Sequence, residues 1–87
     1  MTTPDEQAMR RLPTAVLYDV FRDTATALSA TYVARSDRAA TGDLTDQWWQ
    51  RALQLRDDAD AVDPDDRDAL IDHIVVWRHQ AADLASE

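Results

Sequence analysis

Apolar positions recur at intervals of three and four along most of this chain. That is the period of an α-helix, not the alternation of a strand. The clearest stripe is Leu70, Ile74, Trp77, Ala81 and Leu84, at spacings of 4, 3, 4 and 3. It has the spacing of a coiled-coil seam. Ile71, Val75 and Ala82 widen it. The opposite face carries Asp65, Asp68, Asp72, His79 and Asp83, a solvated acidic stripe, with Val76 beside it as a lone exposed apolar residue.

A second stripe joins Leu44, Trp48, Ala52, Leu55, Ala59 and Val62. Trp49 and Leu53 fall outside it, roughly 90–130° round the helix, and sit next to each other on its surface. Trp49 therefore either faces a second neighbouring helix or forms an exposed anchor with Leu53 and the stem of Arg56. A third, broader stripe runs through Val16, Leu17, Val20, Phe21, Ala27, Leu28 and Ala34. Thr24 and Thr31 lie in its middle, where their hydroxyls are expected to bond the carbonyl four residues back. Ala27, Thr31 and Ala34 are small enough to let another helix come close.

The breaks in these patterns set the boundaries. Thr3-Pro4-Asp5-Glu6 reads as a capping box with proline in the first turn, starting a short helix at about 4–11. Pro13 stops it. The first long helix is predicted over about 13–40, ended by Gly42 as a left-handed cap. The second is predicted over about 43–60, capped by Asp43. The third is predicted over about 64–85, with Asp63 as its cap and Pro64 in its first position. These elements predict an all-α fold in one domain spanning 1–87: an antiparallel three-helix bundle with a short extra N-terminal helix. The competing architecture is a helical hairpin that completes its core by dimerising.

Composition narrows the function classes. The net charge is −8, and all 9 basic residues are arginine. Such a charge argues against direct nucleic-acid binding, which requires cations to displace counterions from phosphate. It argues equally against anionic membrane surfaces. No apolar run approaches the roughly 18 residues of a membrane span. The absence of cysteine and of signal-peptide character predicts a cytoplasmic protein. A chain of this length buries only roughly 60–65% of its unfolded surface, so added burial against a partner matters.

Seven aspartates, Asp57, Asp58, Asp60, Asp63, Asp65, Asp66 and Asp68, fall within twelve residues around Pro64. Asp63, Asp65 and Asp66 suit the positive end of the following helix. Asp57, Asp58 and Asp60 oppose the dipole of the helix they end. A calcium loop would need a glycine at its sharp turn, which this run lacks. His73 and His79 are six apart, roughly 120° round, and do not share a metal in the manner of residues four apart. No nucleophile sits beside a base and acid, and no glycine-rich phosphate loop exists. The sequence thus predicts no enzyme, no cofactor and no metal. Arg35 and Arg78 lie within apolar stripes and are expected either to snorkel to water or to pair with an aspartate.

The function expected from these features is a small acidic protein-interaction module: a regulator, adaptor or antitoxin-like inhibitor that docks on a basic partner surface. Its predicted partner-binding residues are Trp49, Leu53, Arg56, Asp57, Asp58, Asp60, Asp65, Asp68 and Asp72. Two other readings compete. One is a DNA mimic using Asp57 to Asp72 as a phosphate-like track, which predicts binding that falls steeply with salt. The other is a homodimer built on the second apolar edge, which predicts a salt-resistant doubling of solution mass.

Overall fold

The computed structural model describes residues 4–87. It is an all-α bundle of four helices, with no strand among the described residues: α1 (Pro4–Arg10), α2 (Thr14–Asp37), α3 (Gly42–Ala61) and α4 (Arg67–Ala85). Thr3, the cap expected for α1, lies outside the described residues.

Helix α2 is the spine. Helix α3 runs antiparallel to it: Ser36 Oγ donates to the Thr45 carbonyl at 3.1 Å at one end, and Arg22 Nη1 lies 4.0 Å from Asp60 Oδ1 at the other. Helix α4 runs parallel to α2. Arg67 Nη1 donates to Thr14 Oγ1 at 2.9 Å near both N-termini, and Arg35 Nη2 donates to the Leu84 carbonyl at 2.7 Å near both C-termini. Helices α3 and α4 each pack along α2 but make at most marginal contact with each other. The molecule is accordingly flat, 44 × 26 × 18 Å.

The core lies between α2 and α4. Leu17, Phe21 and Leu28 meet Leu70, Ile71 and Ile74, and all six side chains are fully buried. Each such burial stabilises by roughly 1.5–3 kcal/mol. Phe21 is the centre of an aromatic group, with ring centroids 5.2 Å from Trp77, 5.8 Å from Tyr18 and 6.2 Å from His73. Helix α1 docks through buried Met9. Helix α3 buries smaller side chains, Ala52, Leu55 and Ala59, and its alanines let its backbone approach α2. The close approach does not use Ala27, which is exposed. Thr24 and Thr31 do bond back along α2, to the Val20 carbonyl at 2.7 Å and the Ala27 carbonyl at 3.2 Å.

Three boundaries differ from the sequence reading. Gly42 is the first residue of α3, not a left-handed cap on α2, and no described glycine has positive φ. The cap of α3 is Thr41, whose Oγ1 accepts from the Leu44 N–H at 3.2 Å; Asp43 falls inside the first turn. Helix α4 starts at Arg67, and its cap is Asp66, accepting from the Ala69 N–H at 3.1 Å. Asp63 instead holds the preceding turn: its Oδ1 accepts from the Asp65 N–H at 2.9 Å and its carbonyl from the Asp66 N–H at 3.0 Å. Pro64 occupies that turn, where its fixed φ is equally suitable.

Candidate functional site

Helix α3 presents two working flanks, because among the described residues it packs almost entirely against α2. The outer flank carries Trp49, 47% exposed, with half-buried Leu53 four residues on and exposed Arg56 three further. Residues four apart on a helix are surface neighbours. Trp49 does not face a second helix; α4 lies elsewhere on α2.

Trp48 points about 100° away from Trp49. It is half-buried rather than fully in the core, with its ring centroid 6.0 Å from Tyr32. Two guanidinium groups approach it, Arg51 at 4.8 Å and Arg35 at 5.6 Å. Attraction between a cation and the ring face favours this arrangement. Arg35 also binds Glu87 at 2.7 Å, so its carboxylate partner is a glutamate. Arg78 is exposed and its Nη1 lies 4.0 Å from Met9 Sδ.

The inner flank of α3 faces a groove of about 630 Å³ between α3 and α4. Its floor is formed by Tyr32, Leu55, Trp77 and Leu84. Arg51, Gln54 and Asp58 form one wall; Asp72, His73, Val76, Gln80 and Asp83 form the other. Val76 is 52% exposed. Tyr32 donates its hydroxyl to Gln80 Oε1 at 3.1 Å. Burial raises the Tyr32 pKa above its usual value, while the Arg51 charge pulls it down. His73 Nδ1 lies 2.8 Å from the Ala69 carbonyl, and its ring packs edge-on against Trp77, which accounts for it structurally.

The expected docking residues are distributed over several environments. Asp57 is exposed on α3, and Asp60 faces Arg22 at 4.0 Å. Asp58 accepts from Gln54 Nε2 at 2.9 Å on the groove wall, and Asp72 stands on the opposite wall. Asp65 belongs to the turn before α4. Asp68 pairs with Arg10 at 3.0 Å, beside α1. The structure therefore brings Asp58 and Asp72 to one site and Trp49, Leu53 and Arg56 to another. Sequence reasoning missed the groove, together with Tyr32, Arg51, Gln54 and Gln80. Periodicity gives each helix its own faces but not the gap between two of them.

Among the described residues no group of three His, Asp or Glu side chains is placed to hold a metal ion. No described helix is long and apolar enough to cross a membrane. Comparison with protein-family models, with curated proteins and with solved structures finds no match to this chain.

Proposed function

We propose that this chain is a small acidic protein-interaction module that docks on a basic surface of another protein. The observation that carries this reading is Trp49, an aromatic side chain left 47% exposed on a helix that already buries Ala52, Leu55 and Ala59 against α2. Tryptophan, with its large area and few torsions, is the residue type most enriched at binding hot spots. Leu53 extends the apolar surface, and Arg56, Asp57 and Asp60 rim it. A net charge of −8 speeds encounter with a positively charged partner and repels a second copy of the chain. The phosphate-track reading has less support, since at 100° per residue Asp58 turns to the groove wall while Asp57 and Asp60 lie about 60° apart on the outer flank.

A photo-crosslinking aromatic residue in place of Trp49, expressed in the native host, tests the reading. Adducts with a cationic protein are expected. The double substitution Trp49→Ala, Leu53→Ala should abolish that complex and keep the helical circular dichroism. A complex that survives both substitutions, or adducts formed only with copies of the chain itself, would sink the reading.

A further inference from the structure

We infer that the groove between α3 and α4 is a second docking site, and that its occupant is one amphipathic, basic α-helix of a partner protein. The inference rests on the interaction-module reading but uses a different surface. Asp58 is nine residues from Trp49, which places it roughly 180° round α3.

Three observations select the occupant. The first is shape. The groove is walled by two helices with the α2 spine beneath, and its α4 wall runs from Asp72 to Leu84. At 1.5 Å per residue that wall is roughly 20 Å long, enough for about three helical turns. A helix laid there packs against both α3 and α4, and its side chains at three- and four-residue spacing fit between the helical ridges of the walls.

The second is the apolar strip. Val76 is 52% exposed and stands above Tyr32, Leu55, Trp77 and Leu84, whose edges form the floor. A valine in contact with water gains from coverage by an apolar seam. The third is charge. Asp58 stands on one wall, with Asp72 and Asp83 on the other. Asp72 and Asp83 have no ion pair among the described residues. The groove cation Arg51 is already drawn to the Trp48 ring. Cations along both edges of the incoming helix therefore meet carboxylates on both walls. A second copy of this chain, also carrying −8, is disfavoured as the occupant.

The test uses the full chain and two synthetic peptides of about 16 residues. One places leucines at helical spacing on one face and lysines on the other. The second has the same composition in shuffled order. The amphipathic peptide is expected to bind saturably, to become helical, and to shift the amide resonances of Asp58, Asp72, Val76, Gln80 and Asp83. The shuffled peptide should bind about tenfold more weakly or worse. Asp72→Lys with Asp83→Lys, both at exposed positions, should weaken the amphipathic peptide by about tenfold at low salt. Val76→Asp should do the same. Equal binding of the two peptides would reduce the contact to charge alone and overturn the inference, as would absence of saturable binding. Shifts confined to Trp49, Leu53 and Arg56 would overturn it too, while leaving the module reading intact. Loss of the Trp49 crosslink with the groove titration unchanged would do the reverse.

Discussion

Arg67 Nη2 lies 2.7 Å from the carbonyl oxygen of Leu12, and this contact ties the start of α4 to the joint between α1 and α2. The same nitrogen donates to the Arg10 carbonyl at 2.9 Å, and Nη1 donates to Thr14 Oγ1. The last carbonyls of a helix have no partner within it. The planar guanidinium fork supplies the end of α1 with donors at a geometry lysine lacks. Arg67→Ala is expected to destabilise the fold by about 2 kcal/mol, the scale of hydrogen bonds made by a charged group. Arg67→Lys should recover less than half of that. Thermal unfolding measures the loss, and amide exchange over residues 5–12 should rise selectively. A uniform rise across α2 and α4 would contradict this local role.

The two aspartates flanking the turn before α4 differ in duty. Asp66 accepts from the Ala69 N–H and caps the helix, whereas Asp63 shapes the turn. Asp66→Ala should cost about 1 kcal/mol, the usual loss of an N-cap. Asp63→Ala should cost less. Urea midpoints of the two variants give the order. The reverse order would mean that the helix begins at Pro64.

Gly42 lies at the head of α3 with negative φ, and a Cβ added there meets nothing within 4 Å. Gly42→Ala should therefore stabilise the protein by about 0.4–1 kcal/mol, through lower entropy of the unfolded chain. For a domain of this size that raises Tm by about 2–6 °C. A left-handed glycine would give the opposite sign, so a lowered Tm would reject the assigned backbone.

Tyr32 predicts an alkaline loss of stability. Burial pushes its pKa above 10.0 in the fold, with Arg51 opposing the shift. The unfolded chain gives up this proton first as pH rises. The contribution is therefore complete below 10.0 and is lost as pH climbs through the folded value. Tyr32→Phe should remove this component of the alkaline loss. Tyrosinate absorbance of the folded protein, followed beside unfolding midpoints, separates the two effects. A Tyr32 that ionises below its unfolded value would refute the argument.

The helix α4 seam was legible in the sequence because Leu70, Ile74, Trp77, Ala81 and Leu84 alternate at four and three, and all but half-buried Ala81 are buried. The caps were harder. Thr41 and Asp43, or Asp63 and Asp66, are residues of the same capping chemistry a few positions apart, and local propensity does not choose between them. The choice follows from where the backbone turns. Trp48 and Trp49 show the other limit. Their 100° separation was readable, but which of them meets a neighbour depends on where α4 docks on α2. That placement is set by the large side chains of Leu17, Phe21 and Leu28 opposite Leu70 and Ile74, a pairing across some fifty residues that no local window contains.

That pairing also ranks the helices by how readily they open. The fully buried side chains belong to α2 and α4, the partners distant in sequence, while α3, next to α2 in the chain, is held by Ala52, Leu55 and Ala59. Local opening is cheapest where little apolar surface is lost. Helix α3 is therefore predicted to open more readily than the α2–α4 pair, and its amides should exchange fastest among the long helices. Both candidate docking flanks lie on this same helix. A bound partner would then register less as a change of shape than as a slowing of exchange along α3.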